Sequence, residues 1–488
     1  MPPLRNPTYF QLIKPPARDT STCLLCLPLV ITYLPPEGGV FFQRLMQRTS
    51  DKLKMAVARE IVASIRSNPT AAPIQTAFVA TENATLGAAF DQALGTDVTV
   101  AHGGPLSLTA HSKRYDAIIL SNVLDEWNLI ERKHHLSDFL RSILVTLPPN
   151  GTLAIRENMA QHPVSVISEL TKFFDVFIAQ ESDGKTAITF DFYAMRQVED
   201  SLYGGQNHLD VYWILTRAAS VQRYEEALAT FRDFLDQTQY TEDNVRSYEW
   251  IFGEDFISPG GIDENRRVLS RFGELKPGKT MLDIGVGIGG GARQAAREFG
   301  LHVLGVDLST NMIVHAFERN QRDKDARVRY QIGDAVVYAF EENSFDYVFS
   351  RDCVQHIEDQ KTLFAKIYKS LKPGGKLLIT RYGKGYGTLT PLFLEYVKNR
   401  HYFLHNLDEL KAFAVDAGFT NVRTENLTPR FKEILEEERD RTIANKEDFI
   451  GRFSQSLYDH HIASWGDKLG FIAADNHNWH LIYAEKPL

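Results

Sequence analysis

The segment MLDIGVGIGGG, from Met281 to Gly291, decides the fold of this 488-residue chain. An apolar run that opens into a glycine-rich stretch predicts a buried strand followed by a tight turn. A helical pattern comes next, over about residues 293–299, and HVLGVD then predicts a second strand that ends in Asp307. A strand, a turn, a helix and a further strand in this order predict an α/β unit with a parallel sheet.

The rest of the C-terminal half continues this alternation. A third strand leads into Asp334, and FDYVFSRD (345–352) and KLLITRY (376–382) predict two more strands on either side of a helix. NHNWHLIYAEKP (476–487) predicts a closing edge strand. Strands that alternate with helices predict a mostly parallel sheet with helices on both faces.

The N-terminal half repeats the same layout. YDAIILSNVLDEW (115–127) aligns with FDYVFSRDCVQHI (345–357), and LPPNGTLAIREN (147–158) aligns with LKPGGKLLITRY (371–382). The counterpart of the glycine loop is FVATENATLG (78–87), which holds one glycine where the C-terminal copy holds five. The repeat predicts an internal duplication whose N-terminal copy is degenerate.

The domain organisation follows from this repeat. We expect a disordered leader over residues 1–45, a degenerate domain over 46–218, a connecting helix over 219–237 and an active domain with an N-terminal lid over 238–488. The connecting helix is predicted because apolar residues recur at helical spacing up to Gln237. A length of 488 residues agrees with more than one domain, since domains usually contain about 100–200 residues.

Composition excludes several classes of protein. Lys and Arg number 54 against 62 Asp and Glu, a formal charge of −8, which argues against a broadly basic nucleic-acid surface. The apolar run CLLCLPLVITYL (23–34) is too short to span a bilayer, and Cys23 with Cys26 forms a lone CxxC that does not predict a zinc site. With three cysteines in all, the chain is expected in the reducing cytoplasm, without a membrane or nucleic-acid partner. The sequence does not indicate an oligomeric state.

The glycine loop taken alone fits two kinds of cofactor site. Gly285, Gly287 and Gly290 match the GxGxxG of a nicotinamide-binding unit, and Gly285, Gly287 and Gly289 match the GxG loop of methyltransferases. Both kinds of site place an acid after the second strand, here Asp307, where it binds ribose hydroxyls. The loop by itself leaves both interpretations open.

Other motifs favour the methyltransferase interpretation. Asp283 precedes the first glycine by two residues, a GDA segment with Asp334 follows the third strand, and LKPGG precedes the fifth. Together these motifs resemble class I S-adenosylmethionine-dependent methyltransferases, whose cofactor is a cation with a carboxylate tail rather than a pyrophosphate. By this resemblance the cofactor site contains Ile257, Ser258, Asp283, Gly285, Gly287, Asp307, Leu308, Asp334, Ala335 and Arg351.

Three further segments narrow the family. YTEDNVRSYEWIFGEDFISPGG (240–261), SRDCVQHI (350–357) and YVKNRHY (396–402) are similar to phosphoethanolamine (phosphobase) N-methyltransferases, and the duplication resembles the nematode type with a C-terminal active domain. The resemblance implies N-methylation of phosphobases, above all of the mono- and dimethyl forms to phosphocholine. It implies catalytic roles for Tyr240, His356 and Asp352, and a substrate site of Tyr248, Asp352, Tyr382, Tyr396, Arg400, Tyr402 and Lys468.

The chemistry of such an acceptor agrees with these residues. A phosphate dianion needs converging cations and hydroxyl donors. On a helix Tyr396 and Arg400 share a face, and Tyr402 joins them only if that helix ends near Arg400.

The amine end needs a free lone pair. An ammonium with a pKa of ~10 is neutral in about one part in a thousand at pH 7, which costs ~4 kcal/mol without help. Asp352 can hold the ammonium, and His356, four residues on, is placed to receive its proton. By resemblance Tyr240 pairs with His356 and closes a lid over both ligands.

The N-terminal copy has Asn122, Glu126 and Asn158 at the positions of Asp352, His356 and Tyr382, so it is predicted to be non-catalytic. Two alternatives stay open: a methyltransferase of another small amine or a sterol-like acceptor, and a nicotinamide-dependent dehydrogenase. Arg381 lies either beside the phosphate or towards solvent. No His, Cys and Asp cluster has ligand spacing, so no metal is expected.

Overall fold

The computed structural model describes residues 36–104, 114–180, 187–199, 209–218 and 230–488, with the backbone alone for 36–49 and 180. Residues 1–35, with Cys23 and Cys26, lie outside this description, as do residues 219–229 of the predicted connecting helix.

The first helix begins at Pro36, inside the predicted leader. Residues 36–45 are therefore helical rather than disordered, because they continue into the helical run up to Ser67, and proline is well tolerated in the first turn of a helix. The described elements of the N-terminal half are α1 (Pro36–Ser67), β1 (Thr76–Ala80), α2 (Ala84–Leu94), β2 (Thr99–His102), β3 (Ala117–Ser121), α3 (Val123–Glu126), α4 (Lys133–Thr146), β4 (Thr152–Asn158), α5 (Val164–Asp175), β5 (Ile178–Gln180), β6 (Ala187–Gln197) and β7 (Asp210–Ala218).

From β8 to β12 the C-terminal half follows the predicted order of strands and helices, although β10 is followed directly by β11. The last strand, predicted at the edge of the sheet, lies between β12 and β13, because β13 pairs with its outer side. The first helix of this half continues into a π-helical turn at Leu235–Gln239, and short 3₁₀ turns lie at Ser270–Phe272 and Val354–His356. The elements are α6 (Phe231–Phe234), α7 (Glu242–Phe252), α8 (Gly261–Leu269), β8 (Thr280–Ile284), α9 (Gly290–Phe299), β9 (His302–Asp307), α10 (Thr310–Asp323), β10 (Val328–Gly333), β11 (Phe345–Arg351), α11 (Gln360–Ser370), β12 (Leu371–Gly383), α12 (Pro391–Asn399), α13 (Leu407–Asp416), β13 (Thr420–Asn426), α14 (Thr428–Ala444), α15 (Lys446–Arg452), α16 (Gln455–Ala473) and β14 (Asn478–Glu485).

All these strands belong to one sheet. In the C-terminal half the order is β10-β9-β8-β11-β12-β14-β13, parallel except for β14, which runs antiparallel to both of its neighbours. The N-terminal half continues the sheet as β6-β7-β4-β3-β1-β2, with β5 also paired to β6. Antiparallel pairing of β10 with β6 joins the two halves. The C-terminal order is the class I methyltransferase fold that the motifs predict.

Matched contacts at Asp116 and Asp346 support the duplication. The Oδ2 atom of Asp116 accepts the backbone N–H of Thr76 at 2.9 Å and its hydroxyl at 3.0 Å. Asp346 does the same for Thr280, at 3.0 and 2.9 Å. An acid at the start of β3 or β11 therefore holds the start of the neighbouring strand in the same way in both halves.

Candidate active site

The candidate site lies at the carboxyl ends of β8, β9, β10 and β11, where strand order reverses and a crevice forms in sheets of this kind. A cavity of about 590 Å³ opens there. Every residue predicted for the cofactor, the substrate or catalysis lines it, with the exception of Tyr396. The fold thus brings together segments that are more than two hundred residues apart, while the individual roles remain predictions.

The glycine loop approaches its neighbours too closely for side chains. Gly285 has a φ of 76°, and a Cβ atom there would lie 2.1 Å from the Sγ of Cys353. A Cβ on Gly290 would lie 1.9 Å from the carbonyl oxygen of Asp255. The left-handed conformation at Gly285 is also unfavourable for residues with a side chain. These glycines keep the loop narrow and leave its backbone open to the cavity.

Two buried carboxylates lie beside this loop. Asp307 accepts the backbone N–H of Gly287 at 2.9 Å on one oxygen and that of Ser309 at 2.9 Å on the other. Burial raises the pKa of Asp307 to about 6. Burial also raises the pKa of Asp283 to about 8, and the charge of nearby Asp307 adds to that rise. A cavity wall with two such acids favours cations and hydroxyl donors over a pyrophosphate.

Arg351 lines the cavity but uses its guanidinium to hold the neighbouring turn. Its Nη1 donates to the carbonyl of Gly261 at 3.0 Å, and Nη2 donates to the carbonyl of Pro259. Ile257 and Ser258 precede this turn and also line the cavity. Arg351 therefore positions the segment that carries Ile257 and Ser258.

Asp352 is the acid best placed to meet a cationic ligand. Its backbone is left-handed, with a φ of 54°. Its Oδ1 accepts the Trp479 indole N–H at 2.6 Å and the Thr380 hydroxyl at 3.0 Å. Its Oδ2 is buried and has no hydrogen-bond partner among the described residues. Burial raises the pKa of this carboxyl, and a ligand cation would offset that cost.

His356 and Tyr240 line the same cavity, but no hydrogen bond joins their side chains in the described part of the chain. His356 packs against Tyr402, with ring centroids 4.9 Å apart, and its Nδ1 is buried without a partner among described residues. Burial, with a smaller contribution from the Arg400 cation, lowers the pKa of His356 to about 4. His356 is therefore neutral at physiological pH.

The predicted lid is attached to the first turn of α10. Asp236 accepts the Ser309 hydroxyl at 2.5 Å and the backbone N–H of Thr310 at 3.2 Å. The side chain of Asn311 donates to the carbonyl of Tyr240 at 2.9 Å. Because α10 follows directly after β9, these contacts place Tyr240 over the glycine loop that follows β8.

The predicted phosphate cup is assembled around Arg400. The helix α12 ends at Asn399, which satisfies the condition set for Tyr402, and Tyr402 donates its backbone N–H to Val397 at 3.0 Å. Arg400 donates to Gln239 at 2.8 Å and has no carboxylate within 4.0 Å among the described residues. A half-buried cation that lacks an acidic partner is suited to an anionic ligand.

Lys468 adds a second cation to the cavity from helix α16. Burial, together with the nearby charge of Arg400, lowers the pKa of Lys468 to about 8. Tyr396 packs against Tyr402, with centroids 5.9 Å apart, and lies under the Arg400 guanidinium. Its hydroxyl is buried without a hydrogen-bond partner in the described structure. Because Arg400 and Lys468 repel each other, a bound dianion would stabilise the two cations.

The structure corrects both expectations for Arg381, which faces neither the phosphate cup nor solvent. It is fully buried and donates to Gln360 at 2.7 Å and to the carbonyl of Phe403 at 2.5 Å. Burial lowers the pKa of Arg381 to about 9. Its guanidinium fixes the loop that follows Tyr402.

Gln239 and Trp479 belong to the site although the sequence did not single them out. Gln239 accepts from Arg400, and Trp479 donates to Asp352. Gln239 directly precedes Tyr240 and could have been included with it. Trp479 faces Tyr382 across the β12–β14 pair, a register that the sequence does not determine.

Comparisons with known proteins agree with this geometry. A family model described as the N-terminal region of phosphoethanolamine N-methyltransferase 2 matches residues 55–221, and a methyltransferase domain model matches residues 282–379. Phosphoethanolamine N-methyltransferase 2 of Caenorhabditis elegans is 52% identical over 373 residues, which are 76% of this chain and 84% of that protein. The chain belongs to the phosphoethanolamine N-methyltransferase family.

Two other members of this family show how far the likeness extends. The phosphoethanolamine N-methyltransferase of Plasmodium falciparum (isolate 3D7) is 34% identical over 264 residues, which are 54% of this chain and 98% of that protein. The solved structure of Haemonchus contortus phosphoethanolamine N-methyltransferase 2, in complex with phosphomonomethylethanolamine and S-adenosylhomocysteine, matches with 45% identity and a TM-score of 0.83. That match covers 89% of this chain and 99% of the other. The chain is an N-methyltransferase built from two methyltransferase-like halves.

None of the described helices combines the length and apolar character needed to cross a membrane. No group of three or more His, Cys, Asp or Glu side chains in the part of the chain that the structure describes is arranged to hold a metal ion.

Proposed function

We propose that this family member transfers the methyl group of S-adenosylmethionine to the nitrogen of phosphobases, with the mono- and dimethyl forms as preferred acceptors and phosphocholine as the final product. The observation that carries the proposal is the buried Oδ2 of Asp352, which accepts no hydrogen bond from the described residues and has the Nε of Arg351 3.8 Å away, in a cavity that also contains Arg400 and Lys468. Among the charged side chains of this cavity, Asp352 would suit the ammonium of such an acceptor, and Arg400 with Lys468 would suit its phosphate.

The loop region fits the cofactor chemically. S-adenosylmethionine supplies an electrophilic methyl group on a sulfonium. Asp307 is placed to accept from ribose hydroxyls, and Asp334 with Ala335 would border the adenine ring. Burial raises the pKa of Asp283 to about 8, and a cationic ligand near the glycine loop would favour the ionised form of this carboxyl.

Arg400 and Lys468 would hold the phosphate. The hydroxyls of Tyr382, Tyr396 and Tyr402 lie in or against the same cup and can donate to its oxygens. A sterol-like acceptor would bring no counter-charge to Arg400, which has no carboxylate within 4.0 Å among the described residues, so the charged acceptor is favoured. A nicotinamide dehydrogenase would not explain the cup either.

Asp352 and His356 would act at the amine. Direct transfer of a proton from an ammonium with a pKa of ~10 to His356 in the free cavity, at a pKa of about 4, would cost ~8 kcal/mol. A bound phosphate dianion would offset the Arg400 charge and raise the pKa of His356. We therefore expect His356 to accept the proton only after the acceptor has bound, with Asp352 orienting the nitrogen for in-line attack.

The preference for methylated acceptors has a physical basis in this geometry. A primary ammonium carries three N–H donors, whereas a dimethylammonium carries one, and Asp352 offers one free buried carboxylate oxygen. The aromatic rings of Tyr382 and Tyr402 lie on the same cavity and can contact the methyl groups of a cation. We also propose the cytoplasm as the compartment, given the three cysteines in the chain.

The test is an acceptor profile of the full-length protein with S-adenosylmethionine. Phosphoethanolamine and its mono- and dimethyl derivatives are supplied separately, and the methylated products are quantified by mass spectrometry. We expect turnover of the two methylated acceptors and little turnover of phosphoethanolamine. Absence of methylated product from all three acceptors would refute the proposed function, and equal rates for all three would refute the preference.

A further inference from the structure

The loop that follows β10, residues 334–340, begins in the cavity and ends in the other half of the molecule. Asp334, Ala335 and Val336 line the cavity, and the Oδ1 of Asp334 accepts the N–H of Val336 at 2.8 Å. Two residues further on, Tyr338 is 2% exposed and belongs to a buried cluster formed mainly by side chains of the N-terminal half. A residue of the catalytic half is thus part of the N-terminal core.

The contacts of Tyr338 are specific. Its ring stacks on that of Tyr193 in β6, with centroids 5.1 Å apart and an interplanar angle of 21°. Its hydroxyl accepts from the Nη1 of Arg196 at 3.0 Å and lies 3.2 Å from the hydroxyl of Ser64 in α1. The hydroxyl of Tyr193 in turn accepts the backbone N–H of Ala339 at 3.0 Å. Side chains of the N-terminal half therefore hold both the ring and the backbone of this loop.

The strand that leads into the loop is held from the same side. The last residues of β10, from Gln331 to Gly333, pair with β6, so the N-terminal half covers the edge of the strand that ends before Asp334. Behind this pair, Glu60 of α1 bridges Arg196 at 3.0 Å and Arg329 of β10 at 3.1 Å, with all three side chains about 14% exposed. Paired and largely buried charges resist rearrangement, because separating them would leave an unpaired buried charge.

The catalytic half holds the loop from its other side. Lys366 of α11 donates to the carbonyls of Val337 at 2.8 Å and Tyr338 at 2.9 Å. Phe340 packs against the apolar clusters of both halves. The two halves hold the loop from opposite sides, and loss of either set of contacts would leave its backbone less restrained.

We propose that the N-terminal half positions the cofactor-binding loop of the catalytic half, and that Tyr193 is its principal positioning residue. The inference rests on the proposed function, in which Asp334 and Ala335 border the adenine ring. A loop that is fixed before the cofactor binds loses less conformational freedom on binding, so its affinity is higher. The loop supplies no side chain to Asp352, His356 or the phosphate cup, so it affects cofactor affinity and not turnover.

The test compares full-length wild type with Tyr193→Ala and Tyr193→Phe. The Kd for S-adenosylhomocysteine is measured by calorimetry, together with kcat and the KM of each substrate. We expect Tyr193→Ala to raise the Kd and the KM for S-adenosylmethionine about ten-fold, while kcat and the acceptor KM stay within about two-fold. Tyr193→Phe keeps the stacked ring and loses the acceptor for Ala339, so about a three-fold rise is expected.

Tyr115→Ala is the matched control, because Tyr115 is a buried tyrosine of the N-terminal half whose ring packs against Phe78, with centroids 5.4 Å apart. It should lower the melting temperature without changing the Kd. Unchanged Kd in both Tyr193 variants, or an equal rise in Tyr115→Ala, would overturn the inference. If Tyr193→Ala does not fold, Tyr193→Phe decides. Wild-type protein that binds no S-adenosylhomocysteine would instead refute the proposed function, which separates the two failures.

Discussion

Asn122 and Asp352 occupy the same place in the two halves of the chain, each directly after a central strand, and both are left-handed, with φ values of 59° and 54°. One carboxylate oxygen of Asp352 accepts no hydrogen bond from the described residues. Asn122 uses its side-chain oxygen to accept the backbone N–H of Asn158 at 3.1 Å. The backbone conformation at this position belongs to the shared fold, whereas the free charge belongs to one half only.

The cavities of the two halves, at the corresponding edges of the shared sheet, differ in the same way. The N-terminal half has a cavity of about 520 Å³ at the corresponding edge, lined by Asn122, Glu126 and Asn158 among others. Asp210, which faces Asn158 as Trp479 faces Tyr382, forms an ion pair with Arg156. Arg156 and Asp210 stand at the positions of Thr380 and Trp479, so an ion pair replaces the two side chains that donate hydrogen bonds to Asp352 in the C-terminal half.

The largest expected effect comes from adding a side chain at Gly285 in the glycine loop. The N-terminal half has Thr81 after β1, where the catalytic half has Gly285 after β8. Gly285→Ala should abolish cofactor binding, because its Cβ would lie 2.1 Å from the Sγ of Cys353 and its φ is 76°. We expect the Kd for S-adenosylhomocysteine to rise by more than about 100-fold, as measured by calorimetry.

Gly466→Ala is the control, since a Cβ there has no atom within 4 Å. It should bind like wild type. Retention of wild-type affinity by Gly285→Ala would remove the proposed role of the loop.

Exchanging the acid and the amide tests the second difference. Asp352→Asn gives the catalytic half the residue of its degenerate copy and removes the charge that would hold the ammonium. Loss of such a charge-assisted contact, at about 2–4 kcal/mol, should lower kcat/KM by roughly 30- to 1,000-fold, with cofactor affinity retained. Steady-state kinetics with phosphomonomethylethanolamine measure the change.

The reciprocal variant Asn122→Asp should leave turnover unchanged, because the N-terminal half is proposed to have no catalytic role. A loss of activity in Asn122→Asp comparable to that in Asp352→Asn would contradict the distinction between the halves.

A smaller effect is expected from pH, through a cation that lies in the catalytic cavity. Lys468 has a pKa lowered by burial to about 8, so it is charged below that pH and neutral above it. The acceptor kcat/KM should therefore fall as the pH rises through about 8, because the phosphate loses one of its two cations. Lys468→Arg stays charged in this range and should lose that inflection. Identical pH profiles for the two proteins would exclude Lys468 from the phosphate cup.

The smallest effect concerns a buried position with opposite charge in the two halves. Glu157 aligns with Arg381, and it accepts the N–H of Leu124 at 2.8 Å. Burial raises the pKa of Glu157 to about 8, above its ordinary value of 4.5, so its ionisation destabilises the fold as the pH rises from about 4.5 to 8. Glu157→Gln should raise the melting temperature by a few degrees at pH 8 and by less at pH 5, as followed by calorimetry. A larger gain at pH 5 than at pH 8 would contradict this sign.

Much of the fold was predictable because it depends on local signals. Apolar runs between glycine-rich turns predicted the strands, and the paired segments around Asp116 and Asp346 predicted the duplication. The join between β6 and β10 was not predictable, because strand pairing between distant segments leaves no periodic pattern in either segment. The predicted end of the leader at residue 45 was wrong for a related reason. Helix α1 begins at Pro36, and the residues of its first turns show no clear helical pattern of apolar side chains.

The sequence by itself determined which residue types could carry the chemistry and where their motifs stand: the glycine loop, Asp307, the SRDxxxH segment and Arg400. Only the tertiary structure decided what those residues have left to offer a ligand. It leaves Oδ2 of Asp352 without a hydrogen bond from the described residues, and it buries Arg381 away from the cup. It also places Tyr193 against the loop of residues 334–340. The reason is that hydrogen-bond capacity and desolvation depend on the atoms that surround a side chain, and many of those atoms come from segments distant in the sequence, as with Trp479 at Asp352 and Tyr193 at Ala339.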